Sequence, residues 1–199
     1  ASWTKPSVAS LFTSLLPGRH RAVQLRDPLD PGLVTLAGEE QRLEYESLYA
    51  LGPLCGIKDP DAVRQAARLC DHYGLDTIST GGTLAWAMEC AEKGLLPEDR
   101  DLGLRFGRAE AMLGAISAIA KRSGFGAILA EGSRRAALHV GHDAMRWAMH
   151  VKGMEVPMHD PRGKKGMGLA YATSFKGADH ESSMHDEAYQ RENALPELG

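Results

Sequence analysis

The chain has 199 residues, of which 43% are hydrophobic and 25% are charged, and its net charge is -3. This balance is ordinary for a globular protein that buries a core, and it gives no reason to expect nucleic acid or an anionic membrane as a partner. No apolar run is long enough to span a membrane, and the first residues lack a signal-peptide pattern. Cys55, Cys70 and Cys90 have no short spacing, so the sequence predicts buried, reduced thiols and a cytoplasmic location.

The N-terminal part is predicted to be loop-like. Residues 1–38 are interrupted by proline and glycine, and only residues 10–16 could form a short helix. The chain begins with Ala-Ser-Trp rather than with Met, so we expect a processed product or a piece of a larger protein. A helix is then predicted over residues 39–50.

Several further helices follow in chain order. Asp59 is placed to cap a helix that has Pro60 at its first position and that ends at Tyr73, before Gly74. The next helix is expected from about residue 80 to residue 93, with Ser79 or Thr80 as its cap. Apolar spacing predicts helices over 108–121, 126–131 and 133–140, after a charged linker at 97–101. The predicted fold class is mainly α, as an irregular multi-helix bundle.

The pattern changes near Trp147. Residues 149–156 alternate partly and are poorly helical, and Asp160-Pro161-Arg162-Gly163 predicts a turn before a glycine-rich segment. We therefore predict a helical domain over residues 1–147 and the start of a second helical domain over 148–199.

Residues 71–83 join two of the predicted helices and carry candidate ligand-binding groups. Asp71 and Asp76 are five positions apart, and the glycines between and after them free backbone N–H groups. This combination of acceptors and donors suits a polar ligand. The alternative is that these residues only cap the ends of two helices.

Four segments together resemble the tungsten-containing aldehyde ferredoxin oxidoreductase family. Asp71-x-x-Gly-Leu-Asp-Thr resembles its pterin-binding motif, and Tyr45-Glu46-Ser47 resembles a stretch with an active-site glutamate. The segment from Asp160 to Thr173 is similar to a glycine-rich family element. His180 stands where that family has an active-site histidine.

The resemblance implies a fold, an activity and a set of site residues. It implies the helical domains 2 and 3 of an enzyme that oxidises aldehydes to carboxylic acids with ferredoxin as electron acceptor. A tungsten (or molybdenum) bis-pterin and a 4Fe-4S cluster would serve as cofactors. Glu46 and His180 would then be catalytic, and Asp71, Leu75 and Asp76 would bind the pterin.

The resemblance covers about residues 44–180 and leaves parts of a complete enzyme unmatched. The N-terminal pterin domain and a three-cysteine cluster motif are expected to be missing upstream, and the C-terminal segment with the second pterin motif and the fourth cluster cysteine is expected to be missing downstream. We therefore expect no cofactor bound to this fragment and no turnover by it alone. Some family members bridge subunits with a metal held by Glu and His, but Gln65 and about Gly114 occupy those positions. No metal ligand is predicted.

Two other functions stay open at this point. The chain could be a non-catalytic helical scaffold or assembly subunit that has kept the fold. It could also belong to an oxidoreductase of the same superfamily that acts on an aromatic acyl thioester.

Overall fold

The computed structural model describes residues 43–96, 102–141, 143–183 and 185–186. Within these ranges the chain is mostly helical, which confirms the predicted mainly α class. The α-helices are α1 (Tyr45–Leu51), α2 (Pro60–Tyr73), α3 (Thr77–Glu92), α4 (Ala109–Ala120), α5 (Gly126–Leu129), α6 (Ser133–Val140) and α7 (Lys165–Thr173). Short 3-10 helices span Pro53–Cys55 and Ala144–Trp147, and strands β1 (His150–Val151) and β2 (Met154–Glu155) pair antiparallel.

Helix α3 lies at the centre of the helical block. Nine of its 16 residues are buried, so the helix contacts neighbours around most of its circumference. Helix α1 crosses it at Gly81, where a Cβ atom would lie 2.5 Å from the carbonyl oxygen of Ala50. Only glycine permits this close crossing, which fixes α1 and its first turn relative to α3.

Helix α2 has the predicted signals at both ends. The Asp59 side chain accepts a hydrogen bond from the Asp61 N–H at 3.0 Å, and Pro60 is the first helical residue. Gly74 has φ +67° and ends the helix. Because the Gly74 N–H donates to Asp71 O and the Leu75 N–H donates to Cys70 O, the helix ends in a Schellman motif.

Two predicted helix starts were wrong. Helix α1 begins at Tyr45, since Leu43 and Glu44 are not helical, and residues 39–42 lie outside the described ranges. Helix α3 begins at Thr77 with Asp76 as its cap, three residues before the predicted start. The Asp76 carboxylate accepts a 2.6 Å hydrogen bond from the Ser79 N–H. Asp76 therefore occupies the capping position that was predicted for Ser79 or Thr80, and both of those residues lie inside the helix.

The remaining predicted elements agree with the structure where it describes them. Helices α4, α5 and α6 match the expected segments to within two residues, and Gly163 and Lys164 donate back to Asp160 O in the predicted turn. The segments predicted as loop (1–38), as short helix (10–16) and as linker (97–101) lie outside the described residues. None of the described helices has the length and apolar character needed to cross a membrane.

The apolar core has two parts. The larger cluster joins α2, α3, α4 and α6 and includes Trp147 and Ala148 at its edge. A smaller one contains Met167, Tyr171 and Ala178. The domain division near residue 148 stays a prediction.

Candidate functional site

The site is built around the backbone of Met158 and His159. The Tyr45 hydroxyl donates to Met158 O at 2.5 Å, and the Tyr171 hydroxyl donates to His159 O at 3.1 Å. Burial raises the pKa of Tyr171 above its usual value, so its hydroxyl keeps the proton that it donates. The Met158 N–H donates to Glu46 Oε2 at 2.8 Å. Helices α1 and α7 thus hold this segment from two sides.

Three side chains that can exchange protons converge here. Glu46 Oε1 lies 2.9 Å from His159 Nε2 and 3.7 Å from His180 Nε2. The side chains of Glu46, His159 and His180 are only 15%, 10% and 16% exposed. We call these three residues the Glu46 cluster. The predicted approach of Glu46 and His180 is confirmed, although 134 positions separate them in the sequence.

The Glu46 cluster contains buried polar atoms without hydrogen bonds. Within the described part of the chain, Glu46 Oε1 and His159 Nδ1 are both buried and have no hydrogen-bond partner. Glu46 Oε1 and His159 Nε2 are therefore close enough for an ion pair, at 2.9 Å, but their relative orientation does not form a hydrogen bond. Because most buried polar atoms in folded proteins are hydrogen-bonded, these two atoms distinguish the Glu46 cluster from an ordinary packed position.

A third histidine borders the Glu46 cluster. The His185 ring centroid lies 4.7 Å from that of His159 and 6.2 Å from that of His180, edge-on in both cases. The next residue, Asp186, accepts hydrogen bonds from the N–H groups of Gly166 and Met167 at 2.8 and 3.0 Å. Asp186 thereby anchors the segment after His180 to the N-terminus of α7.

The predicted pterin-binding residues lie in the turn between α2 and α3. Asp71 and Asp76 are exposed, and Asp76 also caps α3. Leu75 is half-buried and packs against the larger apolar cluster. This turn adjoins the Glu46 cluster through a 2.8 Å hydrogen bond between Ser47 Oγ and Thr77 Oγ1, which lie next to Glu46 and Asp76 in sequence.

Sequence reasoning assigned no role to His159. The residue lies directly before the Asp160 turn, within the residues 44–180 that the resemblance covers, and imidazole can exchange protons near neutral pH. Its ring stacks on Tyr45 with centroids 5.3 Å apart, which holds it against Glu46. Tyr45 and His159 are more than 100 positions apart in the sequence, so no local sequence pattern indicates that they contact each other. The position of His159 in the site becomes visible only in the folded structure.

The cysteines lie apart from the site. Cys55, Cys70 and Cys90 are free and buried, as predicted. Burial raises the pKa of Cys55 to about 12 and is the main cause that raises those of Cys70 and Cys90 to about 11. Thiols with such pKa values are poor metal ligands and poor nucleophiles.

The fold and the site define a mainly helical module that presents a carboxylate and imidazoles between its helices. Residues 23–196 match the family model described as "Aldehyde ferredoxin oxidoreductase, domains 2 & 3". The chain belongs to this family.

Relatives among characterised proteins agree with this placement. The chain is 50% identical over 147 residues to the tungsten-containing aldehyde ferredoxin oxidoreductase of Pyrococcus furiosus, and 49% identical over 141 residues to that of Thermococcus kodakarensis. It is 36% identical over 148 residues to the "Aliphatic sulfonate oxidoreductase, WOR-like subunit" of Pyrococcus furiosus. These matches cover 69–72% of the chain but only 23–24% of each relative. The chain therefore spans about a quarter of the length of the relatives it matches.

Proposed function

We propose that this chain is part of a tungsten or molybdenum bis-pterin oxidoreductase that oxidises aldehydes to carboxylic acids and passes the electrons to ferredoxin. The observation that carries the proposal is the convergence of Glu46 and His180 in a segment that matches the family. The rest of the pterin site, the 4Fe-4S cluster and the ferredoxin contact would come from other parts of the complete enzyme. In our proposal the fragment alone does not turn over, and the enzyme is cytoplasmic.

The residues present fit a bound pterin cofactor. Asp71 and Asp76 offer exposed carboxylates as acceptors, and Leu75 offers an apolar contact in the same turn. The Glu46 cluster has buried atoms that remain available for a partner. When bound, the metal centre would supply the two-electron chemistry, while protein groups orient it and manage protons.

Proton removal is the task that the Glu46 cluster can perform. Oxidation of an aldehyde with water gives a carboxylic acid, two protons and two electrons. Glu46 Oε1 and His180 Nε2 lie 3.7 Å apart and both side chains are partly shielded from solvent, so each can accept one of these protons from the same substrate. His159 adds a second imidazole on the same carboxylate oxygen. We assign Glu46 and His180 as the catalytic groups that accept these protons.

An aldehyde is favoured over other substrates by the relatives. Identity is 46–50% to the aldehyde ferredoxin oxidoreductases and 36% to the aliphatic sulfonate relative. A non-catalytic scaffold is disfavoured because it would have no use for three proton-exchanging groups that converge where they are largely shielded from solvent. No observation on the described residues favours an aromatic acyl thioester.

The test uses a complete family enzyme that carries these residues. Glu46→Gln and His180→Asn should each lower kcat by about 10²–10⁴-fold, the range for loss of general acid–base catalysis. Tungsten content must be measured first, so that cofactor loss is not mistaken for a catalytic defect. Near-normal turnover by both variants at full tungsten occupancy would remove the two residues from the mechanism.

Asp76→Asn provides a matched test of the pterin-binding turn. Asparagine caps a helix about as well as aspartate, so the start of α3 should be retained. The change removes only the charge, and we expect lower tungsten content with the same thermal unfolding temperature as the parent. Equal tungsten content in variant and parent would leave Asp76 with its capping role alone.

A further inference from the structure

We propose that Asp186 is a positioning residue that holds His180 beside Glu46, by attaching the part of the chain that carries His180 to the N-terminus of α7. We call residues 178–183 and 185–186 the His180 segment. The position of His180 is a matter of this chain's geometry, whereas the consequence for turnover rests on the proposed function. Asp186 lies beyond residues 44–180, which the sequence resemblance covers, so it received no role there.

The Asp186 carboxylate uses both of its oxygens to bind the first turn of α7. Oδ1 accepts a hydrogen bond from the Gly166 N–H at 2.8 Å, and Oδ2 accepts one from the Met167 N–H at 3.0 Å. N–H groups in the first turn have no partner within their helix, and a negative charge is favourable at that end. Gly166 leaves room for the carboxylate, since a Cβ atom there would lie 3.2–3.3 Å from its atoms.

This helix cap comes from a distant part of the chain. Lys164, the residue before α7, makes no side-chain hydrogen bond that caps the helix, and Asp186 is 19 and 20 positions away from the two N–H groups that it binds. A local cap such as Asp59 on α2 stabilises only its own helix. A distant cap also determines where its own segment lies. The Ser183 hydroxyl adds a second contact with α7, at 3.8 Å from Met167 Sδ.

Contacts within the His180 segment fix its shape but not its position. Asp179 accepts hydrogen bonds from the Glu181 N–H at 3.0 Å and from the Ser182 hydroxyl, which makes a turn around His180. His180 Nε2 lies 3.1 Å from Glu181 Oε1. Because Glu181 belongs to the same segment, this contact would remain if the whole segment moved away from α1. The hydrogen bonds of Asp186 with α7 oppose such a movement.

Helix α7 is a common support for both imidazoles of the Glu46 cluster. Its Tyr171 hydroxyl donates to His159 O, and its first turn binds Asp186. The ring centroids of His159 and His180 are 5.4 Å apart, and Glu46 Oε1 lies within 3.7 Å of an Nε2 atom of each. Loss of the Asp186 contact should therefore release His180 while His159 stays in place.

Proton NMR of the 199-residue chain, labelled with ¹³C-histidine, tests the position of His180. The rings of His159 and His180 are close enough for a nuclear Overhauser cross-peak, which the variant His180→Asn assigns. We expect the cross-peak in the parent and its loss in Asp186→Ala. Absence from the parent, or an undiminished cross-peak in Asp186→Ala, would overturn the proposal.

Asp59→Ala is the matched control, because it also removes a carboxylate that caps a helix. Both alanine variants should lower the thermal unfolding temperature, but Asp59→Ala should keep the cross-peak. An equal loss in Asp59→Ala would reduce the effect to general destabilisation and overturn the proposal. If circular dichroism shows that Asp186→Ala is unfolded, Asp186→Asn takes its place. Asparagine has one acceptor oxygen in place of two, so the cross-peak should weaken.

Turnover is measured in a complete family enzyme that carries these residues, at equal tungsten content. Asp186→Ala should lower kcat by up to about 10²-fold, the effect of misplacing a catalytic group by about 1 Å, with little change in KM. Asp59→Ala should turn over like the parent. Because Asp186 acts through His180, adding Asp186→Ala to His180→Asn should cause no further loss.

The outcomes separate this inference from the proposed function. A loss in the double variant equal to the product of the two single losses would overturn the role of Asp186. A parent-like kcat in Asp186→Ala, when His180→Asn is slow, would overturn it as well. Normal turnover by His180→Asn at full tungsten occupancy would instead refute the proposed function, and the cross-peak would still decide whether Asp186 holds His180 in place.

Discussion

Two largely shielded carboxylates connect the helical block to the segment after residue 147, and they do so in different ways. Glu46 extends from α1 to Met158 and His159, and Glu155 extends from β2 to α6. Each belongs to one side of the junction and contacts the other. Their partners differ: Glu46 contacts imidazoles through one of its oxygens, whereas the donors to Glu155 among the described residues are backbone and hydroxyl groups.

The hydrogen bonds of Glu155 are those of a structural residue. It is 4% exposed, and its Oε1 accepts from the Ser133 N–H and the Ser133 hydroxyl, both at 2.7 Å, and from the Thr83 hydroxyl at 3.4 Å. It lies at the N-terminus of α6, where a negative charge is favourable. Gly82 and Gly132 leave room for it, since a Cβ atom on either would come within 3.1 Å of its side chain.

The comparison separates stability from function. Glu155 uses its buried charge to close a helix terminus and to join β2 to the helical block. Glu46 has one oxygen fixed by the Met158 N–H and the other without a hydrogen bond, in contact with His159 and His180. A buried carboxylate whose donors are all fixed stabilises the fold, while one that faces groups of variable protonation can do chemistry.

The largest effect on stability is expected for Glu155→Ala. Hydrogen bonds to a charged group contribute about 1.5–3 kcal/mol each. Removal of the carboxylate also removes the cost of burying its charge, which offsets part of this loss. We therefore expect the free energy of unfolding to fall by about 2–4 kcal/mol. Glu46→Ala should cost clearly less, because within the described residues Glu46 accepts one hydrogen bond, from the Met158 N–H, whereas Glu155 accepts three. Urea unfolding of both variants measures the difference.

Glu92→Ala is the control for this pair, because Glu92 is exposed at the end of α3. Its effect should stay within about 0.5 kcal/mol of the parent. If Glu46→Ala destabilised the chain as much as Glu155→Ala does, the distinction between a structural and a functional carboxylate would fail.

The two carboxylates also differ in how far the sequence reveals them. Glu46 and His180 could be predicted because they lie in segments that resemble a known family. Glu155 and His159 received no role, since the donors that define Glu155 come from α3 and α6 and the partners of His159 come from α1 and α7.

The sequence predicted helix ends where the residues that form the cap lie within a few positions of each other, and it failed where several residues could serve as the cap. Asp59 with Pro60, and Gly74 at the end of α2, act within a few residues, and the structure has them as predicted. The start of α3 was misplaced because Asp76, Ser79 and Thr80 are all good caps, and the sequence alone does not rank them.

A second prediction concerns the crossing that places Glu46. Gly81→Ala would put a methyl group 2.5–2.7 Å from backbone and side-chain atoms of Ala50, so α1 has to move. Overpacking of this kind costs about 1–3 kcal/mol. The movement of α1 should also separate Glu46 from His159 and lower turnover in a complete enzyme. A loss of stability alone would not lower the turnover of the molecules that remain folded.

Gly114→Ala is the matched change for Gly81→Ala. Gly114 lies within α4, and among the described residues no atom outside its own helix backbone comes within 4 Å of the added methyl group. Alanine is favoured over glycine inside a helix, so this variant should be more stable by about 0.5–1 kcal/mol. Thermal unfolding of the two variants should therefore move in opposite directions, and movement in the same direction would contradict the close crossing of α1 and α3.

The smallest effect is expected for a third carboxylate, Asp160, which follows His159 directly but is paired near the surface. Arg162 donates to the Asp160 carboxylate from Nε at 3.0 Å and from Nη2 at 2.6 Å, and the Arg162 side chain is 90% exposed. The side-chain hydrogen bonds from Arg162, helped by its backbone N–H and its charge, hold the pKa of Asp160 below the usual value. Arg162→Gln should raise that pKa, as followed by NMR titration of the carboxyl carbon.

The sign of the accompanying stability change follows from the direction of this pKa shift. A carboxyl group with a lowered pKa in the folded state stabilises the fold above its unfolded-state pKa, and this contribution is lost as the pH falls through the folded-state value. Parent and Arg162→Gln should therefore differ slightly near neutral pH and become equal in acid. Because solvent screens such a pair, the difference should be far smaller than that for Glu155→Ala.

Arg135→Gln, which removes a similar exposed pair with Glu131, should leave the Asp160 titration unchanged. A pKa of Asp160 that does not rise in Arg162→Gln would mean that the Asp160–Arg162 pair is not formed in solution.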